Sequence, residues 1–117
     1  MHEVSLAEAV MRELTRLTEV HRLVRISRVV LKVGELRSVV PEAMAMALRA
    51  AAGGTVAQDA QFELLQTPAV ARCRPCGQEF HPSADSFLCP CCHRSEVEIT
   101  SGWELVIELI EGDVEDQ

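Results

Sequence analysis

Two Cys-x-x-Cys pairs, Cys73/Cys76 and Cys89/Cys92, are separated by the twelve residues 77–88, the spacing that a tetrahedral, all-thiolate zinc site requires. Closed coordination by four sulfurs leaves no position for water or substrate, so one structural Zn2+ per chain is expected, with these four cysteines as its ligands. The fold is constrained as well. Closing both pairs around one ion, at about 2.3 Å per sulfur, brings Cys73 close to Cys92, so the entering and leaving legs must emerge side by side. The strand entering near Thr67 and the strand leaving near Glu104 are therefore expected to be antiparallel neighbours, with the cysteine segment inserted between them.

At 117 residues the chain is expected to form one domain, or one domain with a small metal-stapled insert. Hydrophobic residues make up 48% of it but include only three Phe and one Trp, so the core must be aliphatic. The formal charge of -7, made more negative by zinc-bound thiolates, makes nucleic acid a poor partner. No apolar run approaches the ~18 residues of a membrane span, and no basic segment precedes an apolar one at the N-terminus, so no membrane association is expected and the chain reads as cytoplasmic. In a reducing compartment five cysteines are better explained by a metal plus one spare thiol than by disulfides.

Ser5-Leu6-Ala7-Glu8 has the form of a capping box and predicts a helix over about 6–20, preceded by a short tail of residues 1–4. Leu6, Val10, Leu14, Leu17 and Val20 would form its apolar face. Residues 26–33 read as a half-buried strand, with Val29, Leu31 and Val33 on one face and Arg28 and Lys32 on the other. Pro41 suits the first turn of a second helix over 42–52, which Gly53-Gly54 would stop. Further strands are predicted over 61–67 and 104–111, the latter with Leu105, Ile107 and Leu109 inward, and Gly112 onward is expected to be a short acidic tail. The fold class is α+β: a small three-stranded sheet packed with two helices, with the four-cysteine, zinc-ribbon-like module inserted between the last two strands.

Within the module, Gly77 follows the first pair, where a positive φ lets backbone N–H groups point at sulfur, but His93 occupies the matching position after the second. Cys91 is a fifth thiol, and the two-residue spacing favours Cys92 over it as a ligand. His81 and His93 read as loop residues.

A second metal site is visible at the other end. In Met1-His2-Glu3, His2 offers its imidazole and its backbone nitrogen, and Met1 its terminal amine, which together form fused chelate rings. Such nitrogen donors suit square-planar Ni(II) or Cu(II) rather than tetrahedral zinc, with a fourth position open to the Glu3 backbone nitrogen or carboxylate.

Taken in order, the chain resembles the HypA/HybF family of hydrogenase nickel-incorporation proteins over nearly its full length. The resemblance lies in Met1-His2-Glu3 with Ser5-Leu6, Val33-Gly34-Glu35-Leu36, Pro41-Glu42-Ala43 and Gly54-Thr55. It continues through Cys73-x-x-Cys76-Gly77, Cys89-Pro90-x-Cys92, Gly102-x-Glu104-Leu105 and Ile110-Glu111. It implies a metallochaperone, not an enzyme, with Ni2+ as transferred cargo at Met1, His2 and Glu3. Cys73, Cys76, Cys89 and Cys92 carry over as the zinc ligands. Residues 1–70 plus 100–117 would form a nickel-binding α/β domain and residues 71–99 an inserted zinc-binding domain. The implied partners are a HypB-type nickel GTPase and the large subunit of [NiFe]-hydrogenase, with urease maturation proteins as further clients. His93 in place of glycine and the additional Cys91 depart from the family's pattern.

Two other classes are weaker. A zinc-ribbon module for nucleic acid or a protein complex would want a basic stripe, but Arg72, Arg74 and Arg94 are offset by Glu79, Asp85, Glu96 and Glu98. An enzyme using zinc or the Cys91 thiol would need an open metal position or a nucleophile-base pair, and neither is legible.

Overall fold

The computed structural model describes residues 2–82 and 86–115. In chain order these form α1 (His2–His21), β1 (Leu23–Gly34), a 3-10 turn (Glu35–Arg37), α2 (Pro41–Ala52), β2 (Gln61–Thr67), β3 (Val70–Cys73), β4 (Glu79–Phe80), β5 (Val97–Ser101) and β6 (Leu105–Val114). Two three-stranded sheets result, ordered β2-β1-β6 and β4-β3-β5. The class is α+β, as expected, with the four cysteines between strands. Contacts divide the chain into one unit of Met1–Lys32, Val39–Leu65 and Val106–Gln117 and another of Val33–Ser38 and Gln66–Leu105.

In the first unit α1 packs on α2. Ala7, Val10 and Leu14 are the buried positions of α1, and Met44, Leu48 and Ala52 those of α2, each set recurring every three or four residues along one face. Leu6 and Leu17 are only half-buried, and Val20 is exposed. Pro41 opens α2, where a missing N–H costs nothing, and Gly54 beyond its end takes a φ of +79°.

β1 lies at the centre of its sheet. Val29, Val30 and Leu31 are all buried in succession, so apolar residues on both sides of the strand are covered, and Val30 joins a side that patterning marks as polar. On that side Arg28 bridges outward to Glu63 of β2 and Glu111 of β6, and Lys32 approaches Glu108 at 3.5 Å. Partners fall along β6 as they rise along β1, from Arg25 with Asp113 to the Gly34 N–H donating to the Glu104 carbonyl, so the two strands are antiparallel. β6 itself extends past the predicted end. The Arg25–Asp113 ion pair and a Glu115 N–H donated to the Arg22 carbonyl tie residues expected in a free tail. Leu109 is 41% exposed while Ile110 is half-buried, so the inward alternation of Leu105 and Ile107 does not continue to Leu109.

Two expectations fail here. Residues 2–4 form no tail, because α1 already includes His2, Glu3 and Val4, while Met1 lies outside the described residues. Glu3 stands one turn before Ala7 on the stripe that faces α2, and its carboxylate accepts the Val40 N–H at 3.3 Å, which holds that turn in place. Nor are β2 and β6 neighbours, since β1 lies between them. Adjacency of the two legs holds closer to the cysteines, where β3 and β5 pair antiparallel through Val70↔Ser101, Ala71↔Ile99, Arg72↔Glu98 and Cys73↔Val97. Beyond Val70 the ladder cannot continue through Pro68, which has no N–H. On the other leg the Gly102 and Glu104 carbonyls instead accept the N–H groups of Leu36 and Gly34.

Candidate metal centres

The four paired cysteines come together at one point. Their sulfurs all lie within 4.8 Å of one another, with Cys73 Sγ to Cys92 Sγ at 3.4 Å and Cys76 Sγ to Cys89 Sγ at 3.6 Å. Tetrahedral zinc with bonds of about 2.3 Å requires sulfurs about 3.8 Å apart, so the donor set fits that ion in type, number and spacing.

The local sequence builds this cluster twice by the same turn. The Cys73 N–H donates to the Gln78 carbonyl and the Gly77 N–H to the Cys73 carbonyl; the Cys89 N–H donates to the Arg94 carbonyl and the His93 N–H to the Cys89 carbonyl. Gly77 has a φ of +76° and His93 one of +61°, so the histidine adopts the left-handed conformation that its position demands. Cys73 and Cys89 are fully buried, Cys92 is half-buried and Cys76 is exposed. Cys91 is exposed and outside the four-sulfur cluster, although its N–H donates to Cys89 Sγ at 3.4 Å. His81 and His93 are outside it too; His81 Nδ1 lies 3.0 Å from the Ala69 carbonyl.

The two buried thiols are driven in opposite directions. Burial pushes Cys89 up, but the N–H groups of Cys92 and Cys91 and the Cys76 and Cys73 thiols outweigh it and bring Cys89 down to about 7. At Cys73 the Cys76 N–H acts downward, yet burial and the thiols of Cys92, Cys76 and Cys89 push it up to about 12. Sulfurs this close cannot all ionise alone, because like charges sharing one site oppose each other, and a divalent cation removes that opposition.

At the other candidate centre, Met1 lies outside the described residues, while His2 and Glu3 occupy the first turn of α1. The His2 side chain is about half exposed, and its Nδ1 lies 3.4 Å from Glu3 Oε1. Glu3 is far less accessible, with its side chain 13% exposed. The Val40 N–H, then its own N–H, and more weakly the His2 charge hold its carboxyl below the usual carboxylate range. Val40 was not legible as part of this arrangement, because it participates through a main-chain donor that leaves no trace in side-chain identity. The available signal was the Glu3, Ala7, Val10, Leu14 spacing, which aims Glu3 at the same neighbour as the buried stripe.

A packed helix pair with a small sheet, and a two-turn, four-cysteine cluster between strands, is the make-up of a metal-handling protein. The chain belongs to the HypA family: the model of that family, described as "Hydrogenase/urease nickel incorporation, metallochaperone, hypA", matches residues 1–112. It is thus a nickel metallochaperone of hydrogenase/urease nickel incorporation. Among relatives, the hydrogenase maturation factor HypA of Desulfitobacterium hafniense strain Y51 is 36% identical over 111 residues, covering 95% of this chain and 97% of the relative. That of Dehalococcoides mccartyi strain 195 is 34% identical over 117 residues, covering 100% and 98%. The fold is similar to the solution structure of the Ni metallochaperone HypA from Helicobacter pylori, with a TM-score of 0.73, 23% identity and coverage of 97% and 98%. The solution structure of a second HypA protein gives a TM-score of 0.72 at 26% identity, covering 98% of both chains. Among the described residues, no helix is long and apolar enough to cross a membrane.

Proposed function

We propose that this chain carries Ni(II) at its N-terminus, on the Met1 amine, the His2 backbone nitrogen and imidazole, and a group of Glu3, and delivers it to the large subunit of [NiFe]-hydrogenase. A HypB-type nickel GTPase is the partner in that delivery, urease maturation is a further route, and the setting is cytoplasmic. Residues 1–70 plus 100–117 serve as the nickel-binding part. Residues 71–99 serve as a zinc-binding part, with Cys73, Cys76, Cys89 and Cys92 holding one Zn2+ that contributes folding free energy and takes no part in transfer.

The observation that carries the nickel reading is the placement of His2 in the first turn of α1. The first four N–H groups of a helix have no intrahelical acceptor, so displacing the His2 amide proton with nickel breaks no helix hydrogen bond. A backbone nitrogen deeper in α1 would have to surrender one. The half-exposed imidazole remains open to an incoming acceptor. The positive end of the helix dipole disfavours a cation, which weakens the site and assists release. Transfer then proceeds by exchange: acceptor ligands replace the imidazole and backbone donors one at a time while protons return to the nitrogens.

Nickel titration of protein with a native N-terminus, followed by optical spectroscopy, tests this reading. His2→Ala is expected to abolish specific nickel binding while leaving zinc content, helix content and melting temperature unchanged. Undiminished one-to-one nickel binding by His2→Ala would move the site elsewhere, with His81, His93 and Cys91 the next candidates.

A further inference from the structure

We infer that the open edge of β6 is a docking site for an extended strand of another protein, one with apolar residues at alternate positions and lysine or arginine between them. The site is independent of where nickel binds.

β6 is the last strand of its sheet: one side of its backbone pairs with β1 and, among the described residues, no strand pairs with the other. Alternate residues of an antiparallel strand face the partner, and Glu104, just ahead of β6, turns its carbonyl to the Gly34 N–H. Three positions on, Ile107 therefore presents its N–H and C=O to the open edge. Natural sheets blunt such edges with proline, lysine or brevity. β6 runs for ten residues with neither a proline nor a lysine. β2, the edge on the far side of the same sheet, has seven residues and stops at Pro68.

Beside this edge lies room for side chains. A groove of about 430 Å³ between the end of α1 and β6 is lined by Leu17, Leu23, Ile107, Leu109 and Val114, together with His21. Leu109 is 41% exposed and Val114 60%. A strand added to β6 bonds to its main chain and sets every second side chain towards the groove, the combination by which sheet edges take up extended peptides.

The opposite face of β6 decides what lies between those apolar residues. There Arg28 and Lys32 of β1 meet Glu63, Glu108 and Glu111, two cations against three carboxylates, with Arg28 divided between Glu63 and Glu111. Opposed side chains of adjacent strands lie about 4.5–5.5 Å apart, close enough for their charges to couple. The next strand out thus faces Glu108 and Glu111, and a basic residue there relieves the excess. A second copy of β6 cannot, because it brings Glu108, Glu111 and Asp113 again and no cation.

NMR titration of the zinc-loaded protein with a capped ten-residue peptide alternating valine with lysine, and with its counterpart carrying glutamate for every lysine, tests this. The lysine peptide is expected to shift the resonances of β6, to slow hydrogen exchange at the Ile107 amide and to weaken as salt is raised. It is expected to bind at least about tenfold more tightly than the glutamate peptide. Leu109→Lys is expected to weaken it about tenfold, while Leu65→Lys on the β2 edge leaves it unchanged. Equal binding of the two peptides, protection of β2 amides in place of Ile107, or no shift in β6 overturns the inference. So does an Ile107 amide that is protected without peptide in proportion to protein concentration, which would make the occupant a second copy. Ile107 exchange is read in the wild-type protein, so the outcome does not hang on the folding of either variant.

Discussion

Cys91 and Cys92 carry the same thiol on adjacent residues, and their places in one turn give them different work. Cys92 closes the four-sulfur cluster, whereas Cys91 contributes its backbone N–H to Cys89 Sγ and leaves its own sulfur exposed. Cys92→Ala is therefore expected to lose zinc and, because the binding free energy of a structural zinc is also folding free energy, to unfold the module. Cys91→Ala keeps the same N–H and is expected to retain one zinc per chain. Metal content after mild chelation, measured alongside circular dichroism, checks the pair; retention by Cys92→Ala with loss from Cys91→Ala would reverse the assignment. At this scale the sequence was most informative, since ligand spacing is a covalent property that survives whatever the rest of the chain does. The positive φ of His93 followed from the same reasoning, by analogy with Gly77.

At the level of elements, Val33-Gly34-Glu35-Leu36 and Gly102-x-Glu104-Leu105 resemble family motifs yet supply no metal ligand. They interlock through their backbones. The Gly34 N–H donates to the Glu104 carbonyl at 2.7 Å, the Leu36 N–H to the Gly102 carbonyl at 2.9 Å, and Arg37 Nε to the Trp103 carbonyl at 2.7 Å. A Cβ on Gly34 would lie 2.0 Å from the Gly102 carbonyl oxygen, which only a backbone shift can relieve. Gly34→Ala is expected to destabilise the fold by about 2–4 kcal/mol, measurable by chemical denaturation of the zinc-loaded protein, with a wild-type midpoint speaking against the interlock. Nothing in the sequence identifies these glycines as partners, because close backbone approach depends on strands far apart in the chain. The same limit explains the misplaced start of α1. Ser5-x-x-Glu8 is a local signal, and it was overridden by the distant Val40 N–H that holds Glu3. β1 and α2 were legible because their apolar patterns are long. The neighbour of β2 was not, because clustering of the four cysteines specifies adjacency of the two legs only as far as β3 and β5 remain paired.

For the molecule as a whole, acid stability carries the imprint of Glu104. Its carboxylate accepts the Gly102 N–H at 2.5 Å and the Ser101 hydroxyl at 3.0 Å. The Gly102 N–H foremost, with its own N–H and the Ser101 hydroxyl, outweighs burial and holds it at about 2, against an ordinary value of 4.5. Because the folded value is depressed, the resulting stability is fully present above about pH 4.5 and is lost as pH falls towards 2. Denaturation curves across that window are expected to fall less steeply for Glu104→Gln than for wild type, by the uptake of one proton; identical slopes would mean that Glu104 carries no such linkage. The opposite end of the charge balance is the net -7, which favours solubility and attracts cations without selecting among them. The paired stem formed by β3 and β5 has a further consequence. An insert whose two ends leave from adjacent rungs of one ladder presents its host with the boundary conditions of an ordinary hairpin. Its demands on the rest of the chain are correspondingly local: two neighbouring strand ends, together with the Val33–Ser38 segment that belongs to the same unit.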